Sequence, residues 1–252
     1  MLKLMTDSDA CELSRFCREN PFGLAVCSAA RLYGTDCSFC NVWLEYRNES
    51  IVSAVLKLDT AITLHLSNSS DTDEVLEFTR AVGFTSLAWD DRFTALLGIT
   101  PDSREDILCL ERFKSPLAGN KPEIRICSRE ADFRDAFALM FEGERSTRFD
   151  TWYTDAAARM NSGSGALESI YIDGKIVCVA AVSAESEDAA MLSGIHTKEE
   201  YRGNGLASAL VLDLAEKLPN KKIYVCTASP DINGFYERLG FSVCSRRAQC
   251  TQ

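Results

Sequence analysis

The sequence predicts an α/β fold with mixed sheets, built as two similar units in tandem. Three observations carry that expectation. Residues 191–228 read as strand, glycine-rich turn, amphipathic helix and strand. Asp173-Gly174 lies between two apolar runs, a strong hairpin signal. The two halves also rhyme: the turn at Asn48-Glu49 lies 125 residues before Asp173-Gly174. The strands that follow start alike, Ile51-Val52-Ser53-Ala54-Val55 against Ile176-Val177-Cys178-Val179-Ala180.

The elements follow in order. Residues 8–19 form an amphipathic helix, and residues 22–30 an apolar patch. Residues 41–47 alternate like a strand, Asn48 to Ser50 turn, and residues 51–58 and 61–66 are strands. Asp71 or Thr72 caps a helix with acidic residues in its first turn, which Gly83 ends. Residues 85–89 are a short strand. Residues 111–123, with two prolines and little apolar pattern, are the linker, so the expected units are 1–115 and 116–252. Beyond it come a strand at 124–127 and helices at 130–141 and 151–160. Strands at 166–172, 175–184 and 188–197 follow. After the glycine-rich turn come a helix at 206–218, a strand at 223–228, a helix at 232–239 stopped by Gly240, and a strand at 241–246.

Composition narrows the class of function. The 252 residues are 46% hydrophobic and 25% charged, ordinary for a globular protein. The net charge of −10 argues against a dedicated nucleic-acid binder and against anionic membranes, while leaving room for a cationic amine. Eleven cysteines are scattered along the chain, several in apolar runs. An odd count in a long chain is no disulfide framework. Cys37 and Cys40 form the one close pair, and His65 and His196 are not spaced to complete a zinc site, so no metal is expected. Residues 1–16 lack a signal peptide's apolar core, and no run approaches the ~20 apolar residues of a membrane span. A cytoplasmic protein is expected.

The chemistry centres on Tyr201-Arg202-Gly203-Asn204-Gly205-Leu206-Ala207. Glycines at a helix start leave backbone N–H groups facing open space, and the helix dipole favours an anion there. A tight strand-to-helix turn without a ligand is the alternative reading of the same spacing.

Arg202 to Ala207 resembles the Q/R-x-x-G-x-G/A signature of the GNAT acetyltransferases, and Gly234-Phe235-Tyr236-Glu237-Arg238-Leu239-Gly240-Phe241 resembles that family's FYEKLGF close. The resemblance covers the second half directly and the first half only through the rhyme. It implies the acyl-CoA N-acyltransferase fold, with acetyl-CoA as co-substrate. It also places the site. Pantetheine would pair with the strand at Ile195, His196 and Thr197. The amides of Arg202, Gly203, Asn204, Gly205, Leu206 and Ala207 would hold the pyrophosphate, with Ser208 nearby. Ser229 stands where the family has an asparagine that meets the cofactor, with Asn233 close by. Tyr236 stands where a tyrosine protonates the leaving thiolate, with helix-to-sheet packing as its other reading. Glu142 and Glu144 are the candidate bases, with Asp150, Glu168 and His196 behind them.

The first half has Ser67-Asn68-Ser69-Ser70-Asp71 in place of the glycine-rich turn. Without glycine and with an acid, it should hold no pyrophosphate, so one active site per chain is expected. The resemblance thus implies transfer of an acetyl group to a primary amine of a small molecule or peptide, with no nucleic acid or membrane partner. A homodimer is compatible. The alternative is a catalytically silent acyl-CoA sensor or adaptor, with the first half as its partner-binding module.

Overall fold

The structure is a computed structural model describing residues 1–111, 126–127, 133–141 and 149–251. The expected boundary between residues 115 and 116, nearly all of the linker, and Glu142 and Glu144 lie outside the described residues. The chain divides into two compact units, Met1–Cys109 with Cys226–Gln252, and Leu110–Val225. The last segment therefore groups with the first unit rather than with the second half of the sequence.

In the first unit, β1 (Leu2–Leu4) and a 3-10 turn at Asp7–Asp9 lead to α1 (Ala10–Phe16) and α2 (Pro21–Tyr33). Then come β2 (Cys40–Arg47), β3 (Ser50–Leu58), β4 (Ala61–Leu66), α3 (Thr72–Val82), β5 (Ser86–Asp90), α4 (Thr94–Leu97) and β6 (Ser103–Leu110). The strands lie in the order β1, β2, β3, β4, β5, β12, β6, where β12 is the chain's last strand, Ser242–Thr251. One core packs Leu13, Val26 and Ala29 of α1 and α2 on Val42, Leu44 and Ala54. The other packs Val75 of α3 with Leu64, Leu87, Trp89 and Ala248.

Several elements depart from the sequence reading: β1, α4 and β6 are additions to it, and two others change in kind or length. The expected apolar patch is the helix α2. The Asn20 side chain caps it, accepting from the N–H groups of Phe22 (2.9 Å) and Gly23 (3.1 Å). Eight of its residues are buried, so it has no polar face to mark a helical stripe. Gly23 is required by a close approach, because a Cβ there would stand 2.5 Å from the Cys17 carbonyl oxygen. The closing strand also runs to Thr251, well beyond residue 246.

β12 is polar, and its placement has an electrostatic component. It runs antiparallel to β5 on one side and to β6, which the sequence reading passed over, on the other. Arg246 stands opposite Asp106 and Arg247 opposite Glu105. Both pairs are ion-paired, at 2.9 Å and 3.1 Å. Cross-strand charge pairs contribute about 0.2–1 kcal/mol each. They select the register, while the backbone ladder and the fully buried Ala248 hold the strand.

In the second unit, β7 (Ile126–Cys127), α5 (Phe133–Met140), α6 (Phe149–Asn161), β8 (Ala166–Ile172), β9 (Lys175–Glu185), β10 (Ala189–Thr197), α7 (Leu206–Lys217) and β11 (Lys222–Thr227) follow in sequence. Their strands lie in the order β11, β10, β9, β8, β7. The division from the first unit falls inside β11, after Val225. Asp173 and Gly174, both at positive φ, make the expected hairpin. α5 meets α6 through aromatic rings, Phe137 tilted on Trp152 at 5.3 Å and Phe133 edge-on to Tyr153 at 5.0 Å. α7 buries Leu206, Leu210, Val211 and Leu214. The last helix, α8 (Pro230–Arg238), belongs to the first unit.

Candidate active site

β10 and the turn after it carry the candidate cofactor residues of the second unit. The parallel pairing of β10 with β11 runs from Ala189↔Lys222 to Leu192↔Val225 and ends there among the described residues. Ser193 to Thr197 continue along β9 alone, with a bulge between Ser193 and His196. Gly194 sits in the bulge at φ 60°, and a Cβ there would lie 2.7 Å from the Met140 sulfur. Ile195 and Thr197 therefore lie on a strand edge that β11 does not cover. The Thr197 hydroxyl is engaged by the Cys178 thiol at 3.0 Å, and its carbonyl accepts from Arg202 Nε at 3.1 Å. That leaves the backbone, not the Thr197 side chain, to meet a ligand.

A 3-10 turn at Glu199–Tyr201 leads into the glycines. Gly203 and Gly205 have φ of 79° and 74°, the left-handed region that disfavours any side chain. A Cβ on either would have no neighbour within 4 Å, so the space above them is open. Asn204 braces the turn, donating to the carbonyls of Tyr201 (3.1 Å) and Arg202 (3.3 Å). Gly205 opens α7 with no side-chain cap. The first N–H groups of a helix have no partner inside it, so those of Leu206, Ala207 and Ser208 are available to an anion. The residues fit a pyrophosphate: an uncapped helix start, positive-φ glycines and open space.

Tyr236 lies in the first unit, on α8. It is 5% exposed, with ring edges against Phe235 at 4.9 Å and Phe241 at 5.5 Å. Burial pushes its hydroxyl up to about 12, so it stays protonated at neutral pH. Ser229 caps α8, accepting from the Asp231 N–H at 3.3 Å. Asn233 is 8% exposed and committed within the fold: its Nδ2 donates to Asp106 Oδ2 at 2.8 Å and its Oδ1 accepts from the Thr227 hydroxyl.

The candidate bases separate by environment. Glu168 is 2% exposed on β8 and ion-paired with Lys217 of α7, which itself pairs with Asp213 at 2.7 Å. Burial raises its carboxyl pKa, and it acts as a strand-to-helix tie. Asp150 is exposed in the first turn of α6. His196 is half-buried beside the bulge, opposite Val179.

The first unit repeats the frame with a different turn. β4 pairs with β5 only from Ala61↔Ser86 to Thr63↔Ala88. His65 faces Ala54 as His196 faces Val179; Ala54 and Val179 are related by the 125-residue offset of the hairpins, and the two histidines by 131 residues. The Ser67 N–H donates to the Val52 carbonyl (3.0 Å) as that of Lys198 does to Val177 (2.9 Å). Beyond this point the turns diverge. Asp71 caps α3, accepting from the Glu74 N–H at 3.0 Å. Glu45, 2% exposed, accepts from the Asp71 N–H (3.2 Å), the Ser53 hydroxyl (2.7 Å) and Arg47 Nε (3.1 Å). The sequence reading missed Glu45; an acid within an alternating strand was the available signal. Two carboxylates of the chain thus occupy the helix start.

Among the described residues no group of three or more His, Cys, Asp and Glu could hold a metal ion, and no helix is long and apolar enough to cross a membrane. Residues 139–251 match the family described as Acetyltransferase (GNAT) domain. No curated protein matches the chain significantly. Among solved structures, a tandem GNAT protein from the clavulanic acid biosynthesis pathway, without AcCoA, is similar with a TM-score of 0.67 at 14% identity. The match covers 99% of this chain and 97% of that one. A Drosophila protein gives a TM-score of 0.70 at 12% identity, over 100% and 98%. A GCN5-related N-acetyltransferase from Sphaerobacter thermophilus gives 0.61 at 14%, over 99% and 94%. Residues 139–251 therefore match the GNAT acetyltransferase model, and the chain as a whole has the fold of tandem GNAT proteins.

Proposed function

We propose that the protein transfers an acetyl group from acetyl-CoA to a primary amine, with one cofactor site per chain, at the glycine-rich turn. The observation that carries this is the uncapped start of α7 after a strand edge that β11 leaves free. Bound acetyl-CoA would supply an activated acetyl thioester. The amides from Arg202 to Ala207, with Ser208, would hold its pyrophosphate. The backbone of Ile195 to Thr197 would orient the pantetheine, and an N–H of that stretch would polarise the thioester carbonyl. The Tyr236 hydroxyl would give its proton to the departing thiolate. Its raised pKa keeps that proton in place but makes it a weaker donor. Glu142 and Glu144 are the proposed bases, with His196 beside the free edge as the next candidate. The net charge of −10 favours a cationic acceptor.

Thiol release from acetyl-CoA with a panel of amines tests the reaction, and calorimetry tests the binding. Turnover with at least one amine is expected. Neither turnover nor binding would overturn the proposal, and tight binding without turnover would make the chain a sensor. Tyr236→Phe should lower kcat by about 100-fold or more while the Kd for acetyl-CoA stays close to wild type. An unchanged kcat would remove Tyr236 from the mechanism.

A further inference from the structure

We infer that Asp106, a residue of the first half of the sequence, is a positioning residue that fixes the helix carrying Tyr236 through a hydrogen bond to Asn233. The inference rests on the acid role proposed for Tyr236. All the groups involved lie in the first unit.

Asp106 stands on β6 and divides its carboxylate between two partners. Oδ1 accepts from Arg246 Nε of β12 at 2.9 Å, and Oδ2 accepts from Asn233 Nδ2 of α8 at 2.8 Å. The Asn233 Oδ1 accepts from the Thr227 hydroxyl of β11, which also lies 3.4 Å from the Asp106 carbonyl oxygen. Both ends of the amide are satisfied, and its orientation is determined. A flipped amide would set its oxygen against the Asp106 carboxylate. The hydrogen bonds from Arg246 and Asn233 hold the Asp106 carboxyl below the usual carboxylate range, so the anchor is ionised at neutral pH.

α8 has nine residues, too few to be stable or to fix its own rotation in isolation. Asn233 and Tyr236 are three residues apart and share a face, so a bond that fixes one sets the azimuth of the other. Asn233 is buried and bonded at both ends of its amide, whereas the Ser229 cap at the helix start is long. The directional constraint on Tyr236 therefore comes from Asp106. This ties the proposed acid to a strand that precedes it by 130 residues of chain.

The test compares Asp106→Ala, Asp106→Asn, Tyr236→Phe and the double variant Asp106→Ala/Tyr236→Phe in the full chain. Two measurements are made: kcat by thiol release and hydrogen exchange of the α8 amides. Asp106→Ala is expected to speed exchange across residues 231–238 and to lower kcat by about 10- to 100-fold, with KM for acetyl-CoA changed by less than about threefold. Asp106→Asn should restore most of both, because an amide oxygen still accepts from Asn233. The double variant should be no slower than Tyr236→Phe alone, since a misplaced acid and a missing acid are one loss. Asn233→Ala reaches the same network from the helix side and should reproduce both readouts if Asp106→Ala does not fold. Unchanged exchange in α8, or losses that multiply in the double variant, would overturn the inference. A wild-type rate in Tyr236→Phe would overturn the acid role itself and the catalytic part of this inference with it, and the exchange result tells the two failures apart.

Discussion

The turn before α3 and the turn before α7 start from one frame and end as opposites. In each, a strand leaves its parallel neighbour, passes a histidine at the same register, and enters the loop with an equivalent backbone hydrogen bond. From that bond to the helix the first unit uses five residues, 67–71, and the second uses eight, 198–205. The short turn closes on itself. Ser70 reaches the Val52 carbonyl at 2.7 Å, Asp71 caps the helix, and Glu45 takes the next N–H. The long turn has room for two left-handed glycines and leaves its helix start uncapped. A helix N-terminus attracts an anion in either case. The first unit supplies that anion from its own side chains, and the second leaves the place open.

The comparison can be broken most directly by giving the second turn the first turn's cap. Gly205→Asp sets a carboxylate at the N-cap position that Asp71 holds in α3 and should weaken acetyl-CoA binding by about 100-fold or more, through like-charge repulsion added to the backbone strain of a side chain at φ 74°; Gly205→Asn carries the strain without the charge and should lose less. Wild-type affinity by calorimetry would sink the pyrophosphate assignment.

A second effect belongs to the histidine shared by the two frames. His65 is buried, with Nε2 3.1 Å from the Phe16 carbonyl oxygen and its ring 4.4 Å from that of Phe16. Burial lowers its pKa from 6.5 to about 4. The unfolded chain then binds the proton first as pH falls, so the stability His65 confers is whole above about 6.5 and is lost progressively down to about 4. The loss is on the order of 3 kcal/mol. His65→Gln should flatten that limb of a denaturation series across pH; an undiminished slope assigns it to other groups.

The smallest effect sharpens the contrast. Glu45→Ala leaves the Ser53 hydroxyl and the Asp71 N–H without their acceptor. It should cost about 1–3 kcal/mol by denaturant unfolding and leave acetyl-CoA affinity unchanged. A matching loss of affinity would mean that the first turn also serves the cofactor.

Much of this contrast was legible in the residues. Gly203 and Gly205 announce their own backbone conformation, and Ser67 to Asp71 announces the lack of it, because both are local facts about φ and capping. Asp173-Gly174 and Gly83 are legible for the same reason. The helix α2 was not, since burial on most faces removes the periodicity that marks a helix. β6 and the end of β12 were not, since β6 opens on four polar residues and does not alternate, and their pairing joins strands more than 130 positions apart. Asn233 is close in sequence to the expected cofactor contact at Ser229. The structure gives its amide to Asp106 and Thr227, partners that no local window contains.

By itself the sequence determined the local backbone chemistry: which turn carries left-handed glycines, which carries its own capping acid, and where Tyr236 stands relative to them. Only the tertiary structure decided that the chain's last strand and the helix of Tyr236 complete the first unit. It also decided that Glu45 closes the first turn and that Asp106 reaches Asn233. The physical reason is range. Backbone conformation and capping are set within a few residues, whereas a buried carboxylate finds its partners only once distant strands are paired.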